Sequence, residues 1–122
     1  MKKSKYFTED EMKCKHCGKL PETSLFDQML TMLDEAREVA GIPFFITSGY
    51  RCPEHDQAIG GEGNHPIAAV DILADSGSDA WEIMRGLFWA EFKRIGVSRK
   101  KKMIHADIVP MRPTPALWTY GE

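Results

Sequence analysis

The segment G-N-H-P-I-A-A-V-D-I, from Gly63 to Ile72, places a carboxylate inside an apolar run. Its first residues are typical of a loop, and the run from Ala68 to Leu73 predicts a buried strand. Asp71 therefore falls among side chains that belong to a hydrophobic interior. Because a buried, unpaired carboxylate costs several kcal/mol, we expect a cation beside Asp71, either a basic side chain or a metal ion.

Two helices are predicted in the N-terminal part of the chain. The sequence T-E-D-E, which begins at Thr8, has the pattern of a capping box and opens a very short helix. A long helix is predicted from Thr23 or Ser24 to about Ala40, because apolar residues recur there at helical spacing. Gly41 follows at the position where glycine commonly ends a helix.

Short strands and a second long helix are predicted in the rest of the chain. The runs Phe44–Thr47 and Ile104–Val109 are β-prone, and Pro53 occupies the first position of a short helix. The second long helix is predicted from Ser76 to about Ile95, with Gly96 as its end. Its aromatic and apolar face is expected to belong to the core: Trp81, Met84, Leu87, Phe88, Trp89 and Phe92.

These elements predict an α+β fold, in which a small, largely antiparallel sheet packs against two main helices. With 122 residues the chain is expected to form a single domain, with a cysteine-containing segment at 1–22 and a tail at 110–122. The tail contains three prolines and is expected to be extended, with Trp118 and Tyr120 closing over the sheet.

Composition excludes several classes of protein. The chain is 43% hydrophobic and 28% charged with a formal net charge of −2, which argues against a disordered chain and against a nucleic-acid partner. No apolar run approaches the ~20 residues of a transmembrane helix. The basic N-terminus lacks the apolar region of a signal peptide, so synthesis in the cytoplasm is expected.

The three cysteines are too few for a disulfide framework. Cys14 and Cys17 form C-K-H-C, which is half of a zinc-ribbon spacing, whereas Cys52 stands apart. A site with four thiolates is excluded, although His16 or His55 would complete a mixed site. Reduced thiols and a single disulfide are the alternatives.

A different set of residues suits a catalytic metal. His65 lies at a loop-to-strand junction, Asp71 in a buried strand, and His105 in M-I-H-A-D-I-V. Two histidines and a carboxylate suit zinc, which in catalytic sites takes three protein ligands and leaves a fourth position for water. The alternative is that both histidines are structural and that Asp71 pairs with Arg51.

The run F-F-I-T-S-G-Y-R-C-P-E-H-D-Q-A-I-G-G, Phe44–Gly61, resembles the central motif of a zinc peptidase family. This is the family of D-Ala-D-Ala carboxypeptidases and L-alanyl-D-glutamate endopeptidases, which is related in fold to the hedgehog signalling domain. N-H-P-I-A-A-V-D-I, M-I-H-A-D-I-V and P-A-L-W-T-Y follow in the family's order. The resemblance covers nearly the whole chain, and the cysteine-bearing N-terminus is similar to that of phage and prophage members.

The resemblance implies that Zn²⁺ is bound by His65, Asp71 and His105. It also implies that Arg51 binds a carboxylate or carbonyl of the substrate, which fits the two-pronged donor geometry of arginine. Asp107 lies two residues after His105 in a strand and so on the same face. We expect Asp107 either to accept a proton during catalysis or to orient a metal ligand, and the alternative is a structural aspartate at the surface.

Two departures from the family pattern bear on this site. The family usually has six residues, with a central glycine, between its first histidine and its aspartate. Here five residues, P-I-A-A-V, separate His65 from Asp71, and we expect Gly61 and Gly63 to let the loop absorb the difference. The alternative is that the metal site has been lost. Several branches also place a carboxylate three residues before the last histidine, where this chain has Lys102.

The expected function is that of a zinc-dependent peptidase that cleaves the peptide stems of bacterial peptidoglycan, as a carboxypeptidase or an endopeptidase. An endolysin-like or wall-remodelling role is expected for a small monomer that reaches the cell wall after release by another factor. The alternative is a non-catalytic wall-binding or phage structural protein that retains the fold. A nucleic-acid-binding zinc protein built on C-K-H-C is disfavoured by the acidic balance and the missing fourth thiolate.

Overall fold

The computed structural model describes residues 1–122 and contains four helices and five strands. In chain order these are α1 Glu9–Met12, α2 Ser24–Ala40, β1 Ile46–Ser48, α3 Pro53–Ala58, β2 Ala69–Leu73, α4 Gly77–Trp89, β3 Arg94–Ser98, β4 Met103–Asp107 and β5 Ala116–Thr119. None of the helices has both the length and the apolar character needed to cross a membrane.

The five strands form one sheet in the order β1-β2-β4-β3-β5. All neighbouring pairs are antiparallel except β3 and β5, which run parallel. The two long helices, α2 and α4, pack against each other. The predicted α+β fold, with a largely antiparallel sheet and two main helices, is confirmed.

Strand alternation gives the sheet an apolar face and a polar face, because successive side chains of a strand point to opposite sides. The residues of β2 and β4 that join the hydrophobic core are Val70, Ile72, Ile104 and Ala106. Asp71, His105 and Asp107 alternate with these residues along the two strands and face the other way. The polar side chains of the two central strands are therefore gathered on the face opposite the core.

The helix starts agree with the capping patterns of the sequence. The Thr8 and Glu11 side chains form the reciprocal bonds of a capping box at α1. Thr23 is the N-cap of α2, and its hydroxyl accepts a hydrogen bond from the Phe26 N–H at 3.2 Å. Gly41 ends α2 with a φ of 71°, a backbone angle that glycine adopts at little cost.

The predicted end of the second long helix is wrong. Helix α4 ends at Trp89, because Glu91 has a φ of 66° and turns the chain out of the helix. Ile95 and Gly96 lie in strand β3 instead. Apolar periodicity does not reveal this turn, since the residues on both sides of it are buried. Gly96 lacks a side chain because a Cβ there would lie 2.4 Å from the Trp118 indole nitrogen.

The predicted burial of the aromatic face of α4 is also wrong in part. Trp81, Phe88 and Trp89 are 68%, 55% and 69% exposed, whereas Ile83 and Leu87 are buried. Helix α4 carries apolar residues on two sides, and only the side with Ile83 and Leu87 faces the core. A sequence pattern with two apolar stripes does not specify which one is buried.

We expect Gly86→Ala to lower the free energy of unfolding by about 1–3 kcal/mol, as overpacking does. A Cβ at Gly86 would lie 2.3 Å from the carbonyl oxygen of Ala36 and 3.1 Å from the Ala40 Cβ, so α2 and α4 would have to separate. Gly77→Ala, in the same helix but with no atom within 4 Å of the added Cβ, is the matched control. Urea unfolding that finds the two variants equally stable would contradict this account of the helix contact.

Candidate metal centre

His65, Asp71 and His105 bring their donor atoms to one place on the polar face of the sheet. Asp71 and His105 are directly opposite each other in the β2–β4 register, and His65 reaches them from the turn before β2. The His105 Nδ1 atom lies 2.9 Å from one Asp71 oxygen, and the His65 Nε2 atom lies 3.4 Å from the other. All three side chains are buried, and their donor atoms lie within 4.8 Å of one another.

The short connection between His65 and Asp71 does not keep these side chains apart. Gly63, with a φ of 86°, lets the chain turn sharply into the segment that carries His65. That turn is closed by hydrogen bonds from the Ile67 and Ala68 N–H groups to the Asn64 carbonyl, at 3.0 and 3.1 Å. The loop therefore absorbs the missing residue, and the strand keeps Asp71 on the polar face.

Each imidazole has one ring nitrogen engaged outside the cluster. His65 Nδ1 lies 2.9 Å from the Gly49 carbonyl oxygen and so donates its proton to it. His105 Nε2 lies 2.7 Å from an Asp107 oxygen. These contacts direct His65 Nε2 and His105 Nδ1 toward Asp71. Histidine ligands of metals are commonly held in this way, because a bond at one nitrogen fixes the ring and its tautomer.

Asp107 is fully buried and lies on the far side of the His105 ring from Asp71. Arg94 Nε donates to Asp107 at 2.7 Å, and the Val109 N–H donates to the same oxygen at 3.1 Å. Arg94 was not identified from the sequence, because the predicted helix extended to its position. Its place in β3, directly opposite Asp107, is visible only from the strand register.

The cation beside Asp71 is not an arginine. Arg51 pairs with Asp56, so the alternative of an Arg51–Asp71 pair is wrong. Burial opposes ionisation, but hydrogen bonds from His105 and then His65 outweigh it and hold the Asp71 pKa below its usual range. Burial likewise opposes charge on His105, yet hydrogen bonds to Asp107 and Asp71 raise its pKa to about 9. The cluster thus favours positive charge next to Asp71.

Arg51 lies beside the cluster and is held by fixed partners. Its Nη1 atom lies 2.7 Å from an Asp56 oxygen, and its Nη2 atom donates to the Ser48 hydroxyl at 2.9 Å. The Gly63 N–H donates to the other Asp56 oxygen at 2.9 Å. The Arg51 N–H also donates to the His65 carbonyl at 3.4 Å. Asp56, which the sequence did not single out, therefore links the arginine to the loop that carries His65.

The C-terminal tail closes over this face of the sheet, as predicted. The Trp118 ring centre lies 5.6 Å from that of His105, and the Arg94 guanidinium lies 4.9 Å from the Trp118 ring. The Tyr120 hydroxyl lies next to Gly96, which pairs with His105 in the sheet. Burial raises the pKa of the Tyr120 hydroxyl, and the charges of Asp71 and Asp107 add to that effect.

The donor set fits a zinc ion. Zinc in catalytic sites binds two imidazoles and a carboxylate at about 2.0–2.2 Å, so that tetrahedral ligands lie about 3.4 Å apart. The 3.4 Å separation of His65 Nε2 and Asp71 agrees with that spacing, and the 2.9 Å separation of His105 Nδ1 and Asp71 needs a small opening. The three side chains therefore match a zinc ion in the type of donor atom and in the distances between donors.

Comparisons with known proteins agree with this chemistry. Residues 5–107 match the family model described as Peptidase M15, a range that includes all three donors and Asp107. M15 peptidases are typically zinc-dependent and act on substrates of the peptidoglycan type. No match was found among curated proteins, and none was found among solved structures. Because the family model covers most of the 122 residues, the chain belongs to the peptidase M15 family.

Proposed function

We propose that this protein is a zinc-dependent peptidase that cleaves the peptide stems of bacterial peptidoglycan. His65, Asp71 and His105 are the metal ligands in this proposal. The observation that carries it is the convergence of two oriented imidazoles on one buried carboxylate that contacts no lysine or arginine. Membership of the M15 family supports the same chemistry independently of the geometry.

A zinc ion held by His65, Asp71 and His105 would supply Lewis acidity, which would polarise a carbonyl oxygen and make water a better nucleophile at neutral pH. The protein contributes the arrangement of the donors. The Gly49 carbonyl holds His65, and Asp107 holds His105, so both rings keep one lone pair directed at the site. Asp71 contributes a full negative charge, which strengthens the binding of a divalent cation.

Asp107 is not a surface residue, and of its two functional roles we favour the orienting one. Its side chain is fully buried, one oxygen is engaged by Arg94 and Val109, and the other by His105. A general base must reach the proton that it removes, either directly or through one water molecule. Asp107 reaches the site only through the His105 ring, so it is a positioning residue in this mechanism.

Arg51 is the proposed anchor for a substrate carboxylate. A guanidinium has five N–H donors, and Asp56 and Ser48 occupy one donor on each terminal nitrogen. The remaining donors suit the planar oxygen pair of a carboxylate. Stem peptides of peptidoglycan carry free carboxylates, which supports a substrate of this class.

We expect Arg51→Gln to raise KM for stem peptides about 10–100-fold, since a hydrogen bond to a charged group contributes ~1.5–3 kcal/mol. The zinc content should stay unchanged, because Arg51 contacts no metal donor through its side chain. Arg85→Gln is the matched control, since Arg85 lies on α4 and its side chain donates hydrogen bonds to Val39 and Glu82. A variant with normal KM would remove Arg51 from substrate binding.

The proposal is tested by incubating the protein with purified peptidoglycan and following newly released amines and peptides by mass spectrometry. Cleavage that stops on chelation and returns with zinc supports a peptidase. The masses of the products then distinguish carboxypeptidase from endopeptidase action. Lysis of whole cells from outside would support the finer endolysin-like role, and cleavage without lysis would support wall remodelling.

The second candidate is a non-catalytic protein that binds wall peptides. It is favoured by Lys102, which occupies the position where several branches of the family carry a carboxylate and which pairs at the surface with Asp75. Co-sedimentation with peptidoglycan, together with full zinc loading and no released peptides, would favour this candidate over the peptidase.

A further inference from the structure

A second cluster of metal-binding side chains lies outside the proposed active site. Cys14, Cys17 and Cys52 are free thiols whose sulfur atoms lie within 4.8 Å of one another. Two of them come from the N-terminal segment and the third from the start of α3, so tertiary packing alone brings them together. Three thiols around one point are a donor set that suits a soft divalent metal such as zinc.

The first two thiols lie on a tight turn that backbone hydrogen bonds close. The Gly18 N–H donates to the Cys14 carbonyl at 2.8 Å, and the Cys14 N–H donates to the Lys19 carbonyl at 2.9 Å. Gly18 closes the turn with a φ of 72°. The turn therefore holds Cys14 and Cys17 with their sulfur atoms within 4.8 Å of each other, as a shared metal site requires.

The third thiol belongs to a second pair with the same spacing. Cys52 and His55 form C-P-E-H, which repeats the two-residue gap of C-K-H-C and ends in an imidazole. Cys52 is the N-cap of α3, and its sulfur accepts a hydrogen bond from the His55 N–H at 3.4 Å. The Cys52 N–H in turn donates to the Cys14 sulfur at 3.3 Å, so the two pairs are hydrogen-bonded to each other.

The imidazole of the second pair lies against His16 of the first pair. The donor atoms within 4.8 Å of one another are the three sulfurs alone, so the His55 ring has to turn toward them to bind a metal. The His55 ring stacks on the His16 ring with centroids 5.1 Å apart and planes 4° from parallel. His55 is partly buried at this contact, whereas His16 is exposed. Two adjacent C-x₂-ligand pairs with three sulfurs and one imidazole are the composition of a closed structural zinc site.

We infer that the chain binds a second, structural zinc ion through three thiolates and one imidazole. The ligands of this structural site are Cys14, Cys17, Cys52 and His55. A disulfide would use two of the thiols and leave the third without a role, whereas a metal uses all three and explains the matching spacings. Zinc holds such ligands without redox chemistry.

The structural site would fix the segment that supports the proposed active site. The Tyr50 N–H donates to the Met12 carbonyl at 2.8 Å, and Gly49 packs directly on Met12. The Gly49 carbonyl holds His65, and Arg51 is the residue before Cys52. A metal bound by Cys14, Cys17 and Cys52 would therefore hold the loop from Gly49 to Cys52 in place. The Met12 contacts fix its first residues, and the metal would fix its last.

Metal analysis of the full chain, purified without chelator, tests the inference. We expect about two equivalents of zinc in the unmodified protein and about one each in Cys17→Ser and in His65→Ala, because each variant disables one site. Cys17 is exposed, so its replacement is not expected to unfold the protein. No zinc in His65→Ala would overturn the structural site, whereas one equivalent in both His65→Ala and the unmodified protein would overturn only the active-site assignment.

Cobalt substitution gives a readout that does not depend on activity. Thiolate ligands to cobalt(II) produce an intense sulfur-to-metal charge-transfer absorption in the near ultraviolet, which nitrogen and oxygen ligands do not. The band is expected in the unmodified protein and in His65→Ala, and it should be lost in Cys17→Ser. Absence of the band, with a mass two hydrogens short under non-reducing conditions, would establish a disulfide and overturn the inference.

The fourth ligand is tested by a pair of histidine variants. His55→Ala is expected to weaken cobalt binding at the structural site by at least about tenfold, because it removes a ligand. His16→Ala removes the stacked neighbour and should leave the affinity within about twofold. The reverse order would overturn the assignment of His55.

Discussion

Asp71→Asn is expected to abolish peptide hydrolysis, with kcat/KM falling by about 10³-fold or more. The substitution keeps the size of the side chain but removes the only negative charge between His65 and His105. Without it a divalent cation is held by two neutral imidazoles alone. The lowering of the pKa of water that a zinc site provides would then be lost. Zinc content and initial rates on peptidoglycan fragments measure both effects.

Asp75→Asn is the matched control for this prediction. Asp75 lies just beyond the end of β2 and pairs at the surface with Lys102, at 3.4 Å. Exposed pairs of this kind contribute ~1 kcal/mol or less, so activity and zinc content should both be retained. If Asp71→Asn kept its zinc and its turnover, the assignment of Asp71 as a ligand would be wrong, and with it the proposed mechanism.

Asp107→Asn is expected to have the largest effect on stability, about 3 kcal/mol. The Arg94 side chain is only 10% exposed, and the substitution leaves its charge buried without a compensating anion. Breaking a buried pair by removing one partner typically costs 3–5 kcal/mol, and the retained amide oxygen favours the lower end of that range. Urea unfolding of metal-free protein gives the change directly.

A double variant separates the lost pair from other effects. Adding Arg94→Gln to Asp107→Asn removes the stranded charge, so the double variant should be more stable than Asp107→Asn alone. Stability losses that simply add would argue against an Arg94–Asp107 pair that matters for folding.

The single variant Asp107→Asn also decides the functional role of Asp107. An orienting residue that holds His105 should, when removed, weaken zinc affinity by about 10–100-fold. A general base would instead lower kcat at saturating zinc and leave the affinity unchanged. The second outcome would restore the proton-accepting role and overturn the positioning role that its burial favours.

Much of the fold follows from local patterns in the sequence. Thr8 and Thr23 begin helices because their hydroxyls satisfy N–H groups of the first turn, and Gly41 ends α2 because glycine tolerates a positive φ. The end of α4 was misplaced because Glu91 leaves the helix at a residue type that carries no such signal. Which of the two apolar stripes of α4 is buried depends on the contact with α2, and no local pattern in the sequence describes that contact.

The candidate donors could be predicted from residue type and motif order, whereas the groups that hydrogen-bond to them could not. Asp71 stood out because a carboxylate in an apolar strand demands a cation. The Gly49 carbonyl that holds His65 is a backbone atom and has no sequence signature. Arg94 became identifiable only when β3 was placed beside β4.

The sequence by itself determined where the helices begin, the strands that carry Asp71 and His105, and the types of donor available, because these depend on residues within a few positions of one another. Only the tertiary structure decided which donors meet: Asp71 with His105, 34 residues apart, and Cys14 with Cys52, 38 residues apart. The physical reason is that strand register and loop packing are set by the whole core. Segments that are distant in the sequence come into contact only when the chain folds around that core.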